Sequence, residues 1–471
     1  MSSQSARPDS VSAPLAVSRN PATDELIATY AGQTAQQIEQ LLEQNAAAFR
    51  IWRATPLRER VAAYRRLAVV LRQRSDNLSA LISAEMGKTL KAARAEVEKC
   101  AVTLEWLAEN GPAVLADEPV AVDNDDRVYV SWLPIGTVLA VMPWNFPLWQ
   151  VIRASGPIML SGNGFILKHA PNVIGSAYAL QDAYEAAGFP VGLFTNLIAD
   201  NDTVARVIED DRVAAVTLTG SLRAGSAVAA IAGKALKKSL LELGGSDAFI
   251  VLADANIDLA VKAAVEARFQ NAGQVCLAAK RFILEAPIAS EFTQKFVKAV
   301  SALKVGDPLD PQTDIGPMAR KDLRDELHHQ VERTLSAGAT LLLGGTKLAG
   351  SGNFYAPTVL GNVVPGMAAF DEETFGPVAA ISVAENAEHA IELANQSDYG
   401  LGGNLWTGDV TRGQRLARRM ETGGVFINGF SATNARIPVG GVKKSGYGRE
   451  LSHFGLREFT NAQAVWAKQP V

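Results

Sequence analysis

Five short apolar runs constrain this chain more than anything else in it. TVLAVM (137–142) is followed by GFILK (164–168), LFTNLIA (193–199), AAVTLT (214–219) and KSLLEL (238–243). Runs this short, apolar without alternation, fit strands covered on both faces. Helical stretches lie between them, Gly175 to Ala187 and Leu222 to Ala232 among them. Strand–helix alternation of this kind predicts a doubly wound parallel sheet, α/β in class. A second alternating region opens at AFIVL (248–252) and continues to about residue 445.

Helices precede the first sheet. Ile38, Leu41, Leu42, Ala46 and Phe49 recur at helical spacing, and Leu57 to Met86 is Ala/Arg/Leu-rich in the same helical period. Met86-Gly87-Lys88 punctuates before a further helix through Trp106. The polar N-terminal arm is expected to become ordered near NPATDELIATY, from Asn20. VYVSWLPI (128–135) alternates and carries Pro134, and the tail FGLREFTNAQAVW (454–466) is strand-like and isolated. These two segments are expected to pair as a bridging element between subunits. The resulting division is 1–118 with 135–244, then 245–445, with 119–134 and 446–471 as the bridge.

The formal charge of −4 gives no basic footprint for nucleic acid and no polybasic anchor. No apolar run approaches the ~18 residues that span a bilayer, and the N-terminus has no secretion-type apolar region. The two cysteines, Cys100 and Cys276, make no disulfide framework, which suits a cytoplasmic protein. The five histidines lack metal-ligand spacing, so no metal site is expected. There is no G-x-G-x-x-G; the nearest feature is GSLRAG after AAVTLT, with Gly220 set for a tight turn and Gly225 for opening a helix. A plain turn explains it equally well.

Four stretches combine small residues with one reactive side chain: Asn145 in MPWNFPLWQVIR, Glu242 in LELGGSD, Cys276 in QNAGQVCLAAKR, and Glu373 with Phe375 in EETFGPV. Singly, Asn145 reads equally as a turn residue, Glu242 as a helix cap and Cys276 as a small buried hydrophobe. Together they supply a thiolate nucleophile, an amide for an oxyanion and a carboxylate to activate water.

RFQNAGQVC and LELGG resemble the active-site signatures of aldehyde dehydrogenases. PWNFP, TGSLRAG, EETFGPV and PVGGVKKSGYGRE follow in the family's order across nearly the whole chain. The resemblance implies a Rossmann-type cofactor domain, an α/β catalytic domain and a bridging β element that makes a homodimer or homotetramer. It implies Cys276 as nucleophile, forming a thiohemiacetal and then a thioester. Asn145 and the Cys276 N–H would form the oxyanion hole, and Glu242 would activate the hydrolytic water. Trp144, Lys168, Gly220, Ser221, Gly225, Glu373 and Phe375 would hold the cofactor. Many NAD-preferring relatives have a glutamate three residues after the lysine. Pro171 here, with His169 beside Lys168, would not repel a 2′-phosphate, so NAD is expected with NADP tolerated.

The chain is similar to a branch of short bacterial succinate-semialdehyde dehydrogenases in PWNFPLWQV, LKHAPN and GPMARKDLRDELHHQVE. Arg153 would then meet the carboxylate of succinic semialdehyde, with Gln270 standing where longer relatives carry a second arginine and Arg436 adding charge at the mouth. Alternatives are a broad aliphatic aldehyde dehydrogenase and a non-catalytic structural protein on the same fold.

Overall fold

The computed structural model describes residues 14–123 and 126–468. All five apolar runs form strands: Thr137–Met142, Gly164–His169, Phe194–Asn196, Val213–Thr219 and Lys238–Glu242. They lie in one sheet with Thr137–Met142 next to both Gly164–His169 and Val213–Thr219, every pairing among the five parallel. The order therefore reverses at Thr137–Met142, and ligands in open α/β sheets bind beyond the strand C-termini at such a switch point. The residues that follow there are Pro143-Trp144-Asn145 on one strand and Gly220-Ser221 on its neighbour.

The second sheet holds seven strands, with Asp247–Val251 flanked by Ala279–Glu285 and Gly403–Trp406. Only its edge strand Thr340–Leu343 runs antiparallel. The apolar strands sink into cores that leave Phe165, Leu167, Phe249 and Ile283 with no exposure, the two-sided covering that their unbroken hydrophobicity requires.

The two segments expected to pair do so, within a three-stranded antiparallel sheet. Thr460–Ala467 pairs with Arg127–Pro134 along eight residues, and Glu118–Val120 lies on the other side. The helical stretch from Leu57 to Met86 is two helices, Leu57–Gln73 and Ser75–Met86, broken at Arg74. Three expectations need correction. The strand-like tail begins instead as a short helix, Ser452–Glu458, because Leu456 and Phe459 turn into the core. Gly446–Tyr447 pairs with Leu241–Glu242, so the stretch assigned to the bridge starts as an edge strand of the first sheet. Order at the N-terminus begins before Asn20, since Ala16–Arg19 already pairs with Leu26–Tyr30; residues 1–13 of the expected arm lie outside the described residues.

Candidate active site

The strand Thr137–Met142 delivers the chain into Pro143-Trp144-Asn145, and the helix Trp149–Leu160 follows at once. No side chain of that helix caps its own start. Glu96 does so from another helix, its Oε1 accepting from the N–H groups of Leu148 at 2.9 Å and Trp149 at 3.0 Å. Glu96 is in turn paired with the buried Lys88, whose ammonium sits 3.6 Å over the Phe146 ring. His169 closes the turn from below, with Nε2 2.9 Å from the Pro147 carbonyl and Nδ1 accepting from Ala170 N–H at 2.9 Å. Burial holds the His169 imidazole neutral, its pKa pushed down to about 4. A neutral ring beside Lys168 does not repel a 2′-phosphate, as expected of this position.

Asn145 is 3% exposed, and its Nδ2 donates to the Gln274 carbonyl at 3.0 Å. Asn271 Nδ2 donates to the Asn145 carbonyl at 2.9 Å, so the oxyanion candidate is fixed by the loop that carries the thiol. An amide nitrogen has two protons, and one bond to Gln274 leaves the second for a ligand.

That loop is strained. Asn271, Ala272 and Gly273 stand consecutively at φ of 52°, 54° and 71°. At Gly273 a Cβ would come within 2.3 Å of the Gly376 carbonyl, so only glycine fits. The bends bring Cys276 to the cavity, half-buried among Phe146, Val275, Leu277, Ala278 and Leu401. Burial pushes its thiol up to about 11, against the pull of the nearby Arg153 and Lys280 charges and with the push of Glu242 and Glu373.

Glu242 ends its strand with 2% exposure, and its Oε1 accepts no hydrogen bond from the protein. Burial raises its carboxyl to about 8, with Arg153 opposing and Glu450 reinforcing. The glycines after it make room. A Cβ on Gly244 would lie 2.2 Å from Glu373 Oε2, and one on Gly245 would lie 3.0 Å from the Cys276 carbonyl. Gly245 N–H donates to Glu373 Oε1 at 3.0 Å.

Pro143, Trp144, Asn145, Gln150, Thr219, Gly220, Ser221, Gly244, Cys276, Glu373 and Phe375 line one cavity of about 230 Å³. Trp144 and Phe375 meet edge to face there, ring centroids 5.8 Å apart. Five of the seven expected cofactor residues, Trp144, Gly220, Ser221, Glu373 and Phe375, line this cavity. Lys168, half-buried with its ammonium unpaired among the described residues, lines a neighbouring cavity beside Pro171. Ser221 caps the helix Leu222–Lys234 by accepting from Ala224 N–H at 3.3 Å. Gly225 does not open that helix but sits one turn in, where a Cβ would strike Leu243 at 2.5 Å, so it permits close helix–strand packing.

The Arg153 guanidinium, expected to meet a substrate carboxylate, is 2% exposed, ion-paired with the buried Glu450 and 3.3 Å from Thr219 Oγ1. The sequence reading missed Glu450, which comes beside Arg153 only through the fold. Gln270 ends the helix Ile257–Phe269 half-buried and lines neither cavity. Arg436 is exposed and lines a separate cavity of about 280 Å³ with Lys99, Thr103 and Thr433. Lys99 was also missed. Its ammonium bonds Thr433 Oγ1, lies 4.3 Å over the Trp149 ring, and has no carboxylate partner among the described residues. Burial, then the Arg153 charge, brings it down to about 8.

Comparison with known proteins agrees with this geometry. Residues 10–465 match the model of the aldehyde dehydrogenase family. The chain is 57% identical to a succinate semialdehyde dehydrogenase [NAD(P)+] of Escherichia coli strain K12, over 96% of this chain and 97% of that one. It is 47% identical to a succinate-semialdehyde dehydrogenase [NADP(+)] of Mycobacterium avium strain 104, covering 95% of each. The crystal structure of a Streptococcus pyogenes succinic semialdehyde dehydrogenase in complex with NADP+ superposes with a TM-score of 0.94 at 36% identity, covering 96% of this chain and all of that one. The chain belongs to the aldehyde dehydrogenase family.

Proposed function

We propose that the protein oxidises succinic semialdehyde to succinate with NAD or NADP. The observation that carries this reading is the convergence of Cys276, Asn145 and Glu373 on one cavity, with the buried Glu242 at the adjoining strand end. The Cys276 sulfur attacks the aldehyde carbon and gives a thiohemiacetal. The free N–H of Asn145 Nδ2 and the Cys276 backbone N–H stabilise the oxygen as it gains charge. The nicotinamide, when bound, supplies the hydride acceptor and a positive charge beside the sulfur. Loss of hydride from the thiohemiacetal carbon, with the hydroxyl proton released to solvent, leaves a thioester on Cys276. Glu242, in its ionised form, takes a proton from water, which attacks the thioester and releases succinate and the thiol.

Both reacting groups hold their protons at neutral pH in the free enzyme, Cys276 to about 11 and Glu242 to about 8. Turnover limited by hydrolysis therefore rises with pH until Glu242 is ionised. Lys168 and Glu373 would hold the two ribose ends of the dinucleotide, and Pro171 puts no carboxylate against a 2′-phosphate.

The substrate's own carboxylate would be met by the neighbouring cations Arg153 and Lys99, the latter with Thr433. Arg153 shares its charge with Glu450, which makes the unpaired Lys99 the stronger attraction for a second carboxylate. The unpaired edge of Thr460–Ala467, with Trp466 58% exposed, suits pairing with a second copy as a homodimer or homotetramer. Two free cysteines suit the cytoplasm. Among the described residues no helix is long and apolar enough to cross a membrane.

The test compares kcat/KM for succinic semialdehyde and butanal with each cofactor. A preference of about 10²-fold for the acid, roughly 2.7 kcal/mol, is expected of a cationic subsite. Parity would replace this reading with a broad aliphatic specificity.

A further inference from the structure

Lys280 stands four residues after the nucleophile, near the start of strand Ala279–Glu285, and its side chain has no exposure. Its Nζ donates to the Cys276 carbonyl at 2.5 Å and the Val275 carbonyl at 3.2 Å, and lies 3.4 Å from Glu373 Oε1. The same Glu373 oxygen accepts from Gly245 N–H, three residues beyond Glu242. One buried ammonium thus ties the nucleophile's backbone to a cofactor-facing carboxylate. No step of the reaction above uses it.

A buried charge is tolerated when it is paired and hydrogen-bonded, and the partner decides where its field acts. Two of the partners here are fixed carbonyls. The third, Glu373, is 21% exposed and lines the cofactor cavity, so it is the one a ligand reaches. The charged groups acting on Cys276 are Arg153 and Lys280 on the positive side and Glu242 and Glu373 on the negative. Lys280 also acts on the buried Asp247. Arg153, Glu242 and Glu450 are all buried, and none of them lines the cavity. The Lys280–Glu373 pair is the only one of these contacts that opens to the cavity among the described residues.

We propose that Lys280 is a positioning residue that couples cofactor binding to activation of Cys276, because ribose hydroxyls that engage Glu373 release the lysine's charge to act on the neighbouring sulfur. The inference rests on the reading of Cys276 as nucleophile and Glu373 as ribose ligand. In the free protein Glu373 neutralises the ammonium. With the ribose bound, the carboxylate's charge is drawn to the hydroxyls and the thiolate is favoured.

ADP-ribose separates this effect from that of the nicotinamide, since it carries the terminal ribose without the charged ring. The measurement is the pH dependence of iodoacetamide alkylation of the full chain with no aldehyde present. Cys100 is fully buried and does not compete. Saturating ADP-ribose is expected to lower the alkylation midpoint by about one unit, a tenfold faster reaction at neutral pH. In K280M the acceleration should vanish, and in K280R, which keeps the charge, it should persist in part. E373Q should alkylate fast without ligand, which keeps the idea testable if K280M does not fold. Equal acceleration in wild type and K280M, or slow alkylation of unliganded E373Q, overturns the proposal. Failure of ADP-ribose to bind, read by calorimetry, overturns the cofactor-site reading and the proposal with it.

Discussion

Replacing Glu242 by glutamine separates the two halves of the reaction. The side chain is 2% exposed and its Oε1 accepts no bond from the protein, so the isosteric amide removes a proton acceptor without breaking a hydrogen bond at that oxygen. The backbone stays anchored, since the Glu242 carbonyl accepts from Gly220 N–H at 2.9 Å. Attack and hydride loss need Cys276 and Asn145 and should survive. Hydrolysis needs the ionised carboxylate, and loss of a general base costs about 10²–10⁴ in rate, roughly 3–5 kcal/mol. In stopped flow, E242Q should give one equivalent of reduced cofactor per active site in a burst, then turn over slowly. The rise of wild-type steady-state rate toward pH 8 should disappear with it. Stability should change in a stated direction too. The folded carboxyl titrates at about 8, above the unfolded value, so folding binds the proton and wild-type stability falls as pH rises between the two. E242Q should lack that fall. Unchanged steady-state turnover in the variant would refute the assignment.

Asn145→Ala should lower kcat by about 10²–10³, with cofactor affinity by fluorescence titration nearly unchanged. Arg153→Met breaks the buried pair with Glu450 and should cost about 3–5 kcal/mol in urea unfolding, with KM for succinic semialdehyde raised more than for butanal. Lys99→Met should raise KM for the acid selectively. Because Lys99 is charged below about 8, the wild-type KM for the acid should climb above that pH while the variant's stays flat.

The sequence made the parallel sheets legible because strands such as Thr137–Met142 are buried on both faces and carry no polar alternation. The candidate site was legible through its glycines, whose reason is steric: Gly244 clears Glu373 and Gly245 clears the Cys276 carbonyl. Residues that act through tertiary contact were not. Glu96 reads in sequence as one more helical acid, yet it caps the helix behind Asn145 from 52 positions away. The Arg153–Glu450 pair was hidden because Glu450 meets Arg153 only across the fold, where both are buried. Lys99 lies in no motif and Lys280 sits in the Cys276 stretch without a sequence sign of its role: the first is marked by the Trp149 ring beneath it, the second by two carbonyls and Glu373. The break at Arg74 was hidden because the apolar spacing continues through it from Leu71 to Leu78.

The central claim is a covalent bond to one sulfur. It is tested most directly by acid-quenching the enzyme during turnover of succinic semialdehyde, with E242Q to accumulate the intermediate, and mapping the adduct by peptide mass spectrometry. The account predicts a succinyl group on the peptide containing Cys276 and none on that containing Cys100. Turnover with no adduct on Cys276, or an adduct on another residue, would contradict it.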